Sequence, residues 1–379
     1  MFVHRDSSAL EWESDLAGVD HELLTTSQRT PLERALLCTL GPSSLNEHTI
    51  DGLVEAGATS LRINMSHTEL DALVPMIELV RRCTNIPIAL DTEGAQLRTG
   101  VMRPGTTLEA GQEIRLVSDP VEGDAQTIPI TPGFAVDLLR PGARLSVDFD
   151  SAILRVVRMT PGAVTATVVT GGEVGTRKAV TALPTPNLPA LSDKDLDAIR
   201  IAQAHGVREY AVSFCEDVGA VGWARELTRG RSTIIAKIES RRGVLNLDDI
   251  ARSADRLLID RGDLSREVRL EAIPLLQKAI IRKANALRVP VYVATNLLES
   301  MVVRRAPTRA EVNDVLNTLL DGADGLVLAS ETAIGRYPVE AARMIATLMR
   351  EYTGSIEGYR MQDLVGRHPL EADPRIGLG

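Results

Sequence analysis

Two short apolar runs end in the residues with the most chemistry in this chain, Ile234-Ile235-Ala236-Lys237-Ile238-Glu239-Ser240 and Leu257-Leu258-Ile259-Asp260-Arg261-Gly262-Asp263. Each has the pattern of a buried parallel strand that delivers polar residues at its C-terminal end. Side chains alternate along a strand, so Lys237 and Glu239 are predicted to point to the same side. Asp263 arrives just past Gly262, a residue that lets the backbone approach a ligand closely. A cation, two carboxylates and such a glycine, converging at strand ends, can hold a divalent metal and a phosphate together. Either run alone reads as well as a surface Lys–Glu pair or an ordinary turn. Their placement at the ends of successive strands is what points to chemistry.

The elements that must position them form a rhythm. Runs suited to buried strands occur at Ala35–Leu40, Ser60–Ile63, Ile86–Leu90, Tyr210–Phe214, Thr233–Ile238, Arg256–Ile259, Val289–Ala294 and Gly325–Leu328. Apolar spacing of three and four predicts helices at Ile50–Ala56, Leu70–Cys83, Asp193–Ala204, Ala220–Thr228, Ile273–Leu287, Arg309–Leu320 and Val339–Tyr352. Ser192-Asp193 and Pro338 are start signals for two of these. This alternation predicts an α/β fold, a (β/α)8 TIM barrel over residues 31–100 and 181–352. An open doubly wound sheet is the alternative, but no GxGxxG follows the first strand.

Residues 101–180 have a different texture. The chain's Pro-Gly pairs, at 104, 132, 141 and 161, all fall here, among short alternating runs such as Arg144–Val147, Ile153–Val157 and Val164–Val169. They predict a small β domain inserted after the third strand, at the barrel mouth, placed to close as a lid. Residues 1–30 read as an irregular arm and 353–379 as a loose C-terminal tail.

Working residues of such a barrel lie at strand C-termini. The second strand offers Arg62-Ile63-Asn64-Met65-Ser66-His67, where alternation predicts Arg62, Asn64 and Ser66 on one side. The third ends in Asp91-Thr92-Glu93-Gly94, followed by Arg98; the seventh and eighth end in Thr295-Asn296 and Ala329-Ser330-Glu331-Thr332. The oxygens of Asn64, Ser66, Asp91 and Thr92 are hard and share one full negative charge, which suits a monovalent cation better than Mg²⁺. Arg62, Arg98 and Lys237 are the candidate phosphate partners. A hydrogen-bonded polar layer, and arginines bridged to Asp91 or Glu93, account for the same residues without a ligand.

Composition narrows the partners. The chain has 379 residues, 51 acidic and 42 basic, for a net charge of −9, which argues against general nucleic-acid binding. Aromatics are 3%, too few for base-stacking platforms. Cys38, Cys83 and Cys215 lie in apolar runs without CxxC spacing, as expected of buried thiols in a reducing compartment. The N-terminus lacks the apolar core of a signal peptide and no run approaches membrane-spanning length, so a cytoplasmic protein is expected.

Taken together, the strings Cys38-Thr39-Leu40-Gly41-Pro42-Ser43-Ser44, Arg62-Ile63-Asn64-Met65-Ser66-His67, Leu90-Asp91-Thr92-Glu93-Gly94, Lys237-Ile238-Glu239, Arg261-Gly262-Asp263-Leu264, Ala294-Thr295-Asn296-Leu297-Leu298-Glu299-Ser300-Met301 and Pro307-Thr308-Arg309-Ala310-Glu311 resemble the pyruvate kinase family across about residues 31–352. The resemblance implies the glycolytic transfer of phosphoryl from phosphoenolpyruvate to ADP, followed by protonation of the enolate. It implies Glu239 and Asp263 as ligands of Mg²⁺ (or Mn²⁺), and Asn64, Ser66, Asp91 and Thr92 as ligands of K⁺. Lys237 and Thr295 would be catalytic, with Arg62, Lys237, Gly262, Asp263 and Thr295 on the substrate. Arg62, Asn64, His67, Arg98 and, from the lid, Lys178 would meet the ADP or ATP phosphates. A homo-oligomer, dimer or tetramer, is expected, with no nucleic-acid or membrane partner.

The sequence departs from the family pattern in places. Ala329-Ser330 stands where Ser-Gly is usual, Glu93 for a lysine, Gln96 for a residue tied to the monovalent-cation requirement, Ser265 for a glycine and Asn296 for a glutamine. The chain is expected to lack the third, regulatory domain. Asp260 replaces a small apolar residue beside the amides expected to hold a substrate carboxylate. It is therefore expected either to face away, paired with a barrel arginine, or to select a different small phosphorylated or carboxylated substrate for a kinase or lyase. A non-catalytic metabolite-binding protein is the remaining alternative.

Overall fold

The computed structural model describes residues 34–94, 96–148 and 150–356. Eight parallel strands close into a barrel in chain order: Ala35–Thr39, Ser60–Asn64, Ile88–Asp91, Glu209–Val212, Thr233–Ile238, Arg256–Asp260, Val291–Ala294 and Gly325–Leu328. The last strand pairs with the first, Ala35 opposite Gly325, so no edge is left open and the doubly wound alternative falls away. Nearly every strand residue is buried, because helices cover the outer face and side chains fill the lumen.

Alternation sorts the strand residues into these two environments. Ile234, Ala236, Leu257 and Ile259 join the large apolar cluster against the helices, whereas Ala211, Ile235 and Leu258 belong to the small cluster in the lumen. One step of the two-residue repeat further along the lumen rows come Ser213, Lys237 and Asp260. The apolar plug thus gives way to a polar layer at the C-terminal mouth.

The helices start where their caps dictate. Asp193–Ala204 begins with a reciprocal box between Ser192 and Asp195, and Arg309–Leu320 with one between Thr308 and Glu311. Arg241–Leu245 and Leu247–Ser253, between the fifth and sixth strands, carry no periodic sequence signal because neither is long enough to show a helical period.

The inserted segment forms a second closed barrel of seven strands, in the order Ala163–Thr170, Glu113–Val117, Thr127–Thr131, Leu97–Thr99, Ala179–Leu183, Arg144–Val147 and Ala152–Thr160. It has its own apolar core. Its strands reach beyond 101–180, since Arg98 pairs with both Ala179 and Thr131. At the C-terminal end, Pro338–Ile356 is a continuous helix that runs past residue 352. The arm at 1–30 and the tail from 357 lie outside the described residues.

Candidate active site at the barrel mouth

Lys237 stands at the centre. Its strand, Thr233–Ile238, buries it to 5% exposure, and its ammonium lies 3.2 Å from Asp91 Oδ1, 3.2 Å from Glu239 Oε2 and 3.8 Å from Asp260 Oδ2. It also donates to Ser213 Oγ at 3.0 Å. Burial alone would lower its pKa, but Asp91, Glu239 and Asp260 outweigh burial and hold the lysine above its usual value. The ammonium is a fixed positive charge in a dry setting, where charge acts at its strongest.

Three carboxylates converge beside it. Oxygens of Glu239, Asp260 and Asp263 all lie within 4.8 Å of one another. Burial, reinforced by Asp263, Asp260 and Asp91 and opposed by Lys237, pushes the Glu239 carboxyl up to about 8. Glu239 Oε1 accepts from the Phe214 amide at 2.6 Å, while buried Oε2 has, among the described residues, no hydrogen-bond donor and only the ion pair with Lys237. Asp263 is half-buried and paired with Arg266 at 2.5 Å. Hard oxygens, excess negative charge and an orphaned carboxylate oxygen fit a divalent cation such as Mg²⁺ or Mn²⁺.

The second and third strands supply the opposite wall. Arg62 is buried, bridges Asp91 Oδ2 at 2.9 Å and donates through Nε to Thr39 Oγ1 at 2.8 Å. Strand alternation does not continue to Ser66, as the sequence reading expected, because Met65–His67 is a tight 3-10 turn closed by Asn64 Oδ1 accepting from the Ser66 amide at 2.9 Å. Asn64, Ser66 and Asp91 still line one cavity, whereas Thr92 Oγ1 is committed to the Ser213 amide at 2.9 Å. Glu93 takes neither arginine; it pairs with Lys194 at 3.3 Å.

The lid closes the other side of this cavity of about 260 Å³, which is lined by Arg62, His67, Arg98, Lys178, Lys237, Asp260 and Asp263 among others. Lys178 pairs with Asp148 at 2.8 Å, and Arg98 donates to the Arg177 carbonyl and to Gln96 Oε1. Burial, then the Arg98 charge, lowers the pKa of His67, so the imidazole stays neutral near physiological pH. An anion entering here meets cationic side chains from two separate barrels.

Gly262 and Thr295 sit together at the rim, the Gly262 amide donating to Thr295 Oγ1 at 2.8 Å. A Cβ built at Gly262 would come no nearer than 3.5 Å to Asp260 Oδ1 or Thr295 Oγ1, so the chain itself does not require glycine there. Thr295 and Asn296 hold φ of 71° and 54°, and Phe214, in the turn after the fourth strand, 47°. Such strained non-glycine backbone clusters at sites where the surroundings force it.

Asp260 does not face away. It is 5% exposed, lines the cavity, and its ionic partner among the described residues is Lys237, not an arginine of the barrel wall. The cause is alternation: Leu258 fills the lumen, so Asp260 is delivered inward as well.

Other residues of the site were not singled out in the sequence. Ser213 bridges Lys237, Asp91 and Thr92, and Arg266 pairs Asp263. Asp195, buried at 0% exposure, accepts from the Glu93 amide at 2.7 Å, the Gly94 amide at 3.0 Å and the Ser192 amide at 2.9 Å. It clasps the loop that leads into the lid. The box spacing Ser192-x-x-Asp195 was the available signal for it.

Comparison with known proteins agrees with this architecture. A family model described as the pyruvate kinase barrel domain matches residues 32–342. A pyruvate kinase of Thermococcus litoralis is 35% identical over 348 residues, 88% of this chain and 73% of that protein. Human pyruvate kinase PKLR is 33% identical over 364 residues, and that of Geobacillus stearothermophilus 36% over 354; each match covers 90% of this chain, but 63% and 60% of the relative. The chain thus spans between 60% and 73% of the length of these relatives. The crystal structure of a pyruvate kinase from Cryptosporidium parvum superposes with a TM-score of 0.76 at 30% identity, over 85% of this chain and 69% of that one. With the family model matching most of the barrel, and a 35% identical relative matched over 73% of its length, the chain belongs to the pyruvate kinase family.

Proposed function

We propose that this chain transfers phosphoryl between phosphoenolpyruvate and ADP with a divalent cation. The observation that carries the reading is the convergence of Arg62, Lys237 and Asp263 on one cavity, with Glu239 paired to Lys237 and grouped with Asp263 beside it. Glu239 and Asp263 would hold Mg²⁺ or Mn²⁺, which when bound draws charge from phosphoryl oxygens and orients them. Lys237 contributes a fixed charge where negative charge spreads during transfer, an effect that needs no reorganisation at the moment of reaction. Asp91 and Ser213 hold the ammonium in place. Arg62, His67, Arg98 and Lys178 serve the nucleotide and phosphoryl oxygens, and the lid excludes water. Asn64, Ser66 and Asp91 supply oxygen donors suited to K⁺.

A second reading rests on Asp260. Its inward carboxylate disfavours a substrate carboxylate nearby, by roughly 4 kcal/mol at 4 Å and an effective dielectric near 20. That favours a related phosphorylated compound bearing a hydroxyl or amine at this position. A coupled assay of ADP plus phosphoenolpyruvate with Mg²⁺, with and without K⁺, tests the first reading; absence of pyruvate release with turnover of such a compound supports the second.

A further inference from the structure

The observations point past a two-carboxylate cation site. Asp260 is buried to 5% exposure, yet among the described residues its oxygens have only long contacts: Oδ1 accepts from the Asp263 amide at 3.5 Å, and Oδ2 lies 3.8 Å from Lys237 Nζ. Both distances exceed those of a well-formed hydrogen bond. A buried carboxylate left this way is expensive unless something compensates its charge. The same carboxylate is grouped with Glu239 and Asp263, with all three ligand oxygens within 4.8 Å, and it lines the cavity. Independently, Glu239 Oε2 is buried without a hydrogen-bond donor among the described residues, its one charge contact being the shared Lys237. The nearby cations do not meet this demand. Lys237 is already shared among Asp91, Glu239 and Asp260, and Arg266 is engaged on Asp263.

We propose that Asp260 is a third protein ligand of the divalent cation, making this a three-carboxylate site for Mg²⁺ or Mn²⁺. The inference rests on the reading that Glu239 and Asp263 hold that cation. Two consequences follow from the charge. The cation neutralises Asp260 and lifts its repulsion of a carboxylate-bearing substrate, so substrate binds after metal. A third protein oxygen also fills a coordination position otherwise left to water or substrate, and the site retains the metal more tightly in the absence of substrate.

The test uses Mn²⁺ alone, with the whole protein and no nucleotide or substrate, and reads free Mn²⁺ by electron paramagnetic resonance. The unmodified protein is expected to bind one Mn²⁺, and Asp260→Asn and Asp260→Ala to weaken it by about tenfold or more, since even supporting residues of a metal site are worth that much. Crystals of the unmodified protein soaked in Mn²⁺ give a readout independent of any variant's folding. The anomalous peak is expected with an Asp260 oxygen at a bonding distance of about 2.1–2.3 Å. Undiminished Mn²⁺ affinity in both well-folded Asp260 variants, with Glu239→Gln weakened, overturns the third ligand and leaves the two-carboxylate site standing. So does an anomalous peak that Asp260 does not touch. Unchanged affinity in Glu239→Gln and Asp263→Asn as well overturns the site altogether.

Discussion

Lys237 lies in register opposite Leu258, and the next lumen-facing residue above Leu258 is Asp260, whose Oδ2 stands 3.8 Å from the lysine ammonium. Strand pairing and the two-residue repeat therefore fix where this unusual carboxylate points. It joins Asp91 and Glu239 around one lysine, with Asp263 grouped beside it.

That crowding makes metal-free stability depend on pH through Glu239. Its carboxyl is raised from 4.5 to about 8 in the folded protein, so folding favours the protonated form. The associated stability is complete below the unfolded value and is lost as pH rises through the folded one. A divalent cation binds the ionised form, so the melting-temperature gain on adding Mn²⁺ should grow between pH 6 and pH 9, on either side of the folded value of about 8. In Glu239→Gln, differential scanning fluorimetry should show this pH dependence flattened.

Much of this was legible in the sequence, for reasons that differ by residue. Lys237 and Glu239 were readable because a buried strand ending in charge is rare and the repeat puts them on one side. The inward direction of Asp260 was equally available, since Leu258 had to fill the lumen. Ser213 and Arg266 were not readable: their roles come from strands and turns brought together only by closure of the barrel. The Ser66 placement misled because a 3-10 turn, capped by Asn64, breaks the strand period one residue too early.

The clasp at Asp195 should be a matter of stability and lid geometry. Asp195→Ala leaves the Glu93, Gly94 and Ser192 amides without their buried acceptor. A loss of about 2–4 kcal/mol is expected in urea unfolding, given roughly 1–3 kcal/mol per unsatisfied buried group and partial rescue by water. A loss under about 0.5 kcal/mol would show that the clasp is not needed.

Lys178 offers the contrasting case. Its side chain is 44% exposed, and its ion pair with Asp148 should contribute little to folding. Lys178→Ala is expected to leave the melting temperature unchanged and to raise the KM for ADP about three- to tenfold, the effect of losing one partly solvated phosphate contact. Steady-state kinetics with varied ADP checks this, and an unchanged KM removes Lys178 from the nucleotide site.

Replacing Arg62 should be costly in both respects. Arg62→Ala removes one of the two cations that balance buried Asp91 and leaves Lys237 as the other, so the loss should approach the roughly 3–5 kcal/mol of a broken buried charge pair. Arg62→Lys restores charge without the fork that reaches Thr39 and Asp91 together, so chemical denaturation should show partial rescue. Equal stability in all three proteins would mean that the pair is inessential.

The most direct test is pyruvate release from phosphoenolpyruvate and ADP, followed in a coupled assay with Mg²⁺, for the unmodified protein and for Lys237→Met and Asp263→Asn. The expected result is turnover that requires both ADP and the divalent cation, and that falls by at least about a hundredfold in each variant while circular dichroism remains unchanged. Metal-independent turnover, or full activity in either variant, would contradict the account of Lys237 and Asp263 as the working core of this site.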